Sequence, residues 1–187
     1  MTTQVAFLRG INVGSHNRIA MADLRKLLTE LGYGDARTLL QSGNVVLTAG
    51  ARPDDLAREL EREIEGRFGV HTPIVLRTRK ELAAVVARDP LSDVVDQPKL
   101  YQVSFLSAEP EARTMREIAT VDVAPERFVH VGREIYAWHP DGIQRSPLAK
   151  LLSDKRLGVT VTARNWNTTV KLLDLANEHE RSSSNGL

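Results

Sequence analysis

Apolar positions along this 187-residue chain shift between short runs and helical spacing. Gln4 to Leu8 is a short apolar run of strand character, and from about Ala20 to Leu31 apolar residues recur at helical spacing before Gly32-Tyr-Gly34 supplies a stop. Arg37 to Gln41 and Asn44 to Thr48 read as two strands around a tight Ser42-Gly43 hairpin. Pro53 opens the next helix, which carries Leu56, Leu60, Ile64 and Phe68 on one stripe and ends at Gly69. Thr72 to Arg77 is a fourth strand, and Pro73 near its start favours a sheet edge, where a missing N–H costs nothing. Glu81 to Arg88 is a third helix. The order is β-α-β-β-α-β-α, which predicts helices stacked on one face of a four-stranded sheet.

Asp89 to Pro98, with two prolines and three aspartates, reads as a linker, after which the pattern returns. Gln102-Val-Ser-Phe-Leu106 repeats Gln4-Val-Ala-Phe-Leu8 with one change. A helix over Glu111 to Ala119 follows, then strands Arg127 to Val131 and Glu134 to His139 joined at Gly132-Arg133. A helix over Pro147 to Leu157 closed by Gly158, a strand over Val159 to Ala163 and a helix over Asn167 to His179 complete the set. The expected fold class is α+β, an internal duplication of two tandem ferredoxin-like repeats: residues 1–92, a linker at 93–98, and residues 99–187. The tail from Arg181 to Leu187 is polar and expected to fray.

The first strand leads into Arg9-Gly-Ile-Asn-Val-Gly-Ser-His-Asn-Arg18, a glycine-bearing loop that runs into a helix. Strand, flexible loop and helix N-terminus form a layout suited to anions, because exposed N–H groups and the helix dipole both favour negative charge. No Gly-Lys-Ser/Thr closes the loop, and Gly10 and Gly14 lack the dinucleotide spacing, so no nucleotide-cofactor motif is present and no cofactor is expected. Two further stretches share its character. Ser42-Gly-Asn44 offers a hydroxyl and an amide in a turn, and Arg164-Asn-Trp-Asn-Thr168 precedes a helix with Lys171 one turn inside it. The candidate anion-binding residues are therefore Arg9, Asn12, Arg18, Ser42, Asn44, Arg164, Asn165, Asn167 and Lys171. All but Lys171 are expected to line one concave surface. Each also has a structural reading: Asn12 can bond its own turn, and Asn165 or Asn167 can cap the last helix. Gly142-Ile-Gln-Arg-Ser146 has the same character more weakly, since Ser146 and Pro147 fit N-cap and N1 roles.

Arg9-Gly-Ile-Asn-Val-Gly14, Gln41-Ser-Gly-Asn-Val-Val46 and Arg164-Asn-Trp-Asn-Thr168, in this order, resemble the bacterial family catalogued as domain of unknown function 1697. The resemblance spans nearly the whole chain and implies a cytosolic two-repeat α/β fold with no assigned reaction. The chain departs from the family at Ser15, where a second glycine is common, and at Pro147, where a lysine commonly follows the serine.

Composition narrows the function classes. The net charge of +1 hides no asymmetry, with 13 basic and 12 acidic residues up to position 95 and 12 of each beyond it. Whole-chain electrostatics thus give no support to general nucleic-acid or membrane binding. No cysteine is present, which removes disulfides, thiol catalysis and thiolate metal sites. The histidines at 16, 71, 130, 139 and 179 lack ligand spacing, so no metal site is expected. No nucleophile–base pair emerges, and Ser15, Ser42 and Ser146 read as hydrogen-bonding groups; the residues do not specify a reaction. Without a signal segment or an apolar run of membrane length, a cytoplasmic location is expected. The favoured function is binding of an anionic, phosphorylated or nucleotide-like small molecule. Two alternatives stand beside it: RNA or single-stranded DNA bound through a local patch, with Tyr101, Phe105, Tyr136 and Trp138 as stacking residues, and a protein-interaction module whose polar motifs are structural.

Overall fold

The computed structural model of the protein describes residues 1–184. Its first half runs β1 (Thr2–Leu8), α1 (Met21–Glu30), β2 (Arg37–Leu39), β3 (Asn44–Ala49), α2 (Pro53–Phe68), β4 (Ile74–Thr78) and α3 (Arg79–Arg88). The second runs β5 (Tyr101–Leu106), α4 (Ala112–Ala119), β6 (Arg127–Val131), β7 (Glu134–Trp138), α5 (Pro147–Leu151), α6 (Asp154–Leu157), β8 (Val161–Asn165) and α7 (Trp166–Ser184). The result is a mixed α+β fold with two four-stranded sheets, ordered β2-β3-β1-β4 and β6-β7-β5-β8, in which every neighbouring pair is antiparallel. The shared order fits an internal duplication. β4 is an edge strand, as expected, although it begins only after Pro73.

Two compact units emerge from the packing: residues 1–84 with 171–187, and residues 85–170. Repeat boundaries describe sequence likeness and compact units describe packing, so the two divisions need not coincide. In the first unit, alternate residues of the sheet (Ala6 and Leu8, Val45 and Leu47, Ile74 and Leu76) meet Leu24, Leu27 and Leu28 of α1 and Leu56, Leu60 and Ile64 of α2 in one core. The other face is reached by the end of α7, whose buried His179 bonds Thr48 Oγ1 at 3.0 Å and Asp35 at 2.9 Å through Nε2. In the second unit Leu106, Ile135 and Ala137 pack on Met115, Ile118, Leu148 and Leu152.

Helix ends follow local chemistry. Pro53 stands in the first turn of α2, and Gly69 closes it at φ 64°. The single helix expected over Pro147 to Leu157 is two short ones, because the chain breaks at Leu152 and Ser153 before α6 begins. At the C-terminus Arg181 to Ser184 continue α7 rather than fraying; Asn185 to Leu187 lie outside the described residues. Among the described residues no helix is long and apolar enough to cross a membrane.

Candidate functional site

The loop between β1 and α1 is braced from within. Asn12 N–H donates to Asn17 O at 2.9 Å, His16 N–H reaches Val13 O at 3.4 Å, and the Asn17 amide donates to Gly10 O at 3.2 Å. Residues 13–16 thus form the tip of a small hairpin. Left-handed backbone at Gly10, Asn12, Gly14 and Asn17 makes the turns, and glycine and asparagine tolerate that region best. Ile11 and Ile19 anchor the loop in the core, while Arg9 and Arg18 are exposed.

Asn12 latches this loop to the β2–β3 hairpin. Its Nδ2 donates to Gln41 O at 2.7 Å and to Ile19 O at 2.9 Å, and its Oδ1 accepts from Ile19 N–H at 2.9 Å. Across the hairpin, Asn44 Nδ2 donates to Leu39 O and to Ser42 Oγ, both at 3.0 Å. Gly43 at φ 74° lies so close beneath the loop that a Cβ there would stand 2.7 Å from Leu8 Cβ and 2.8 Å from Ile11. Five of the candidate residues, Arg9, Asn12, Arg18, Ser42 and Asn44, are therefore gathered at one end of the first sheet. Within this group the amides of Asn12 and Asn44 are occupied in holding the backbone.

In the second unit the Arg164 guanidinium donates to Thr162 Oγ1 at 2.8 Å and Ala163 O at 2.9 Å. Part of the residue still meets solvent, yet burial of the charged group pushes it down to about 10. Asn165 Oδ1 accepts from Thr168 N–H at 2.9 Å, capping α7, whereas Asn167 is exposed. The exposed Lys171 lies in the segment of α7 that belongs to the first unit. Strand register gives these positions counterparts in the first repeat. Arg164 pairs with Val103 as Arg77 pairs with Val5, and each arginine also donates to the carbonyl of its preceding residue. Asn165 pairs with Gln102 as Thr78 pairs with Gln4, and Thr78 Oγ1 likewise accepts from an N–H three residues on, that of Glu81. The loop from Arg9 to Ala20 has no such counterpart: β5 is joined to α4 by five residues, Ser107 to Glu111, carrying two glutamates and no cation.

A polar cluster that the sequence did not reveal lies inside the second unit. His139 Nδ1 stands 2.6 Å from Glu126 Oε1 and 3.0 Å from Ser146 Oγ, and all three residues are buried. Leu148 N–H donates to Glu126 Oε2 at 3.0 Å, and Ser146 caps α5 by accepting from Ala149 N–H at 2.7 Å. Burial alone would raise the Glu126 carboxyl, but hydrogen bonds from Ser146, His139 and Leu148 together hold it below its ordinary value. This is not a proton relay. Serine and carboxylate share one ring nitrogen, whereas a relay needs the nucleophile on one nitrogen and the orienting acid on the other. Ser146 and Pro147 fill the N-cap and N1 roles their order suggests. The sequence signal for the cluster was slight, because its members are spread over 21 residues and meet only through the β7–α5 turn. A cleft of about 300 Å³ opens beside it, lined by residues 122–126, Asp141, Gly142 and Arg145 to Pro147.

Tyr101, Phe105 and Tyr136 are buried, and Tyr101 stacks on Trp166 with centroids 4.9 Å apart. They offer no exposed platform for bases. Among the described residues no group of three histidine, aspartate or glutamate side chains is placed to hold a metal ion.

The sequence model of the family described as Protein of unknown function (DUF1697) matches residues 1–136. The chain belongs to this family. Among solved structures, the DUF1697 chain is similar to the conserved bacterial protein SP0830 from Streptococcus pneumoniae, with 23% identity and a TM-score of 0.67 over 94% of this chain and 98% of that one. At that identity the likeness speaks for the fold alone. No curated protein is a significant match.

Proposed function

We propose that this DUF1697 protein is a cytoplasmic binder of an anionic small molecule, and that Arg9 and Arg18 supply the charge. The observation that carries the reading is the braced loop of residues 9–20, which has two arginines, one histidine, no carboxylate and no counterpart after β5. Scaffold residues recur in both repeats, as Arg77 with Arg164 and Thr78 with Asn165 illustrate. An elaboration found in one repeat alone is better explained by a task than by folding. In this reading Asn12, Ser42 and Asn44 shape the site, and the arginines contact the ligand. The α1 N-terminus lies just after Arg18, and Ala20 gives it no side-chain cap; the one acid of its first turn is Asp23. Arg164, Asn165, Asn167 and Lys171 stay in the proposal as candidates for contacts from their own segments. The sheet order and alternating helices are best understood as two ferredoxin-like plaits, with repeats at 1–92 and 99–187 and a linker at 93–98.

Amide chemical shifts recorded during a phosphate titration test the proposal. Shifts should concentrate on residues 9–23 and weaken at least fivefold in affinity in Arg18→Ala. Unmoved amides at tens of millimolar phosphate would refute it. A fluorescent oligonucleotide titrated at two salt concentrations addresses the nucleic-acid alternative, since contacts to several phosphates produce a steep salt dependence and one bound anion a shallow one.

A further inference from the structure

The first unit holds two large aliphatic side chains in water on segments that also carry exposed arginines. Val13 is 68% exposed and Leu40 is 55% exposed. Each is one residue from the 2.7 Å hydrogen bond between Asn12 and Gln41, so both belong to the latched end of the first sheet. Their exposure does not come from want of a core, since the same loop buries Ile11 to 1% and Ile19 to 2%. Leu40 is also held at φ 59°, a region costly for leucine and natural to glycine or asparagine. An exposed aliphatic residue in disfavoured backbone gains nothing from folding, and such strain gathers where a surface is used. The surroundings restrict what can cover the pair. Arg18 is exposed in the same loop, Arg37 is exposed at the start of β2, and residues 9–20 contain no acid. Two exposed aliphatic side chains on the latched loop and turn, with exposed arginines in the same segments, suit a molecule that joins an anionic group to a hydrocarbon one.

We infer that the anion bound at this end of the first sheet carries an apolar group, such as the alkyl or acyl portion of a phosphate monoester, and that Val13 and Leu40 seat it while Arg18 meets the charge. This rests on the anion-binding reading and deepens it by naming the ligand class. The asparagine latch then has a second consequence: it fixes the spacing between charge and apolar seat, so ligands should be selected by hydrocarbon length as well as by charge.

The test uses the full chain with inorganic phosphate and methyl, butyl and hexyl phosphate, with affinities read from amide shifts. Affinity should rise about two- to fourfold per added methylene until the seat is covered. Leu40→Asn and Val13→Ser should flatten that rise while leaving inorganic phosphate within about twofold of the parent protein. Leu40→Asn suits the left-handed backbone, so it should fold at least as well as the parent, and loss of the length dependence cannot then be assigned to unfolding. If phosphate binds and the series is flat in the parent protein, the apolar seat is overturned and the anion site stands. If no member binds, inorganic phosphate included, both fall. A rise that survives both substitutions would place the hydrocarbon elsewhere and overturn the assignment to Val13 and Leu40.

Discussion

Leu8 N–H donates to Gly43 O at 2.8 Å in the first unit, and Leu106 N–H donates to Arg133 O at 2.9 Å in the second. One residue later, Arg9 N–H reaches Pro73 O and Ser107 N–H reaches Thr160 O, both at 3.0 Å. Up to this point the repeats use the same hydrogen bonds. Beyond it the first adds a twelve-residue loop latched to a four-residue turn, and the second crosses in five residues beside a two-residue turn. The difference separates what the fold needs from what was added to it. A sheet end with Leu106 and Gly132-Arg133 folds without a latch, so the latch of the first repeat belongs to the loop and its ligand.

The largest contrast should come from the turn glycines. Gly43→Ala places a Cβ against Leu8 and Ile11 in left-handed backbone, and should cost about 2–4 kcal/mol in urea titration. Gly132→Ala, at φ 59° with open space around it, should cost only the conformational part, about 1–2 kcal/mol. Equal losses would mean that the loop does not press on the hairpin, and the contrast between the sheet ends would collapse.

Next in size is Asn12→Ala. It removes three hydrogen bonds and strands the Ile19 and Gln41 backbone groups, so the expected loss is about 1–3 kcal/mol. That exceeds the change of about 0.5 kcal/mol ordinary for an exposed loop residue. Glu109→Ala in the short loop of the second repeat should stay within that smaller range. A negligible loss for Asn12→Ala would detach the loop from the fold and weaken the case for a fixed site.

What the sequence made legible follows from the range of each interaction. The strand runs, the helix stripes of α1 and α2, the Gly69 stop and the edge position of β4 depend on neighbours within a few residues, and all were readable. The repeat was readable too, because Gln4 to Leu8 and Gln102 to Leu106 differ once. The break at Leu152 was not, since Leu148, Leu152 and Leu157 still look like one helical stripe; only the non-helical backbone at Leu152 and the second start after Ser153 divide it. The Asn12–Gln41 latch spans 29 residues and the His179–Thr48 bond spans 131, and a motif shows neither. Asn12, Asn44 and Asn165 were recognised as special, but whether an amide serves a ligand or its own backbone depends on those distant partners.

A smaller, pH-dependent effect should belong to the second unit. Because hydrogen bonds hold the Glu126 carboxyl below its ordinary 4.5 in the fold, the stabilisation is complete above that value and is lost as pH falls through the folded value. Glu126→Gln should cost about 1–2 kcal/mol at pH 7, and its deficit should narrow as pH falls below the ordinary 4.5. A deficit unchanged between pH 7 and pH 3 would show that shape alone, not charge, supports the turn into α5. No such acid-linked deficit is expected for Asn12→Ala, whose bonds involve no titrating group.

The smallest effect lies where the repeats differ most in polarity. Register aligns Thr3 and Thr48 of the first sheet with Tyr101 and Trp138 of the second. Thr48 bonds His179, but the buried Tyr101 hydroxyl makes no aligned hydrogen bond. Removing it in Tyr101→Phe should therefore change stability at pH 7 by less than about 0.5 kcal/mol, because the lost contact with Asp89 and the relief of a buried hydroxyl without an aligned bond oppose each other. Burial first, and the nearby Asp89 carboxylate second, push the phenol well above its ordinary 10.0 in the fold. A raised folded value means that the stabilising contribution is whole below pH 10 and drains away as pH rises beyond it. The parent protein should lose stability above pH 10 more steeply than Tyr101→Phe, the two curves coinciding at neutral pH. If the curves stay parallel to pH 11, the phenol ionises as readily folded as unfolded. The aromatic pair would then be less shielded than its burial implies, and its contrast with the threonine pair would be one of shape alone.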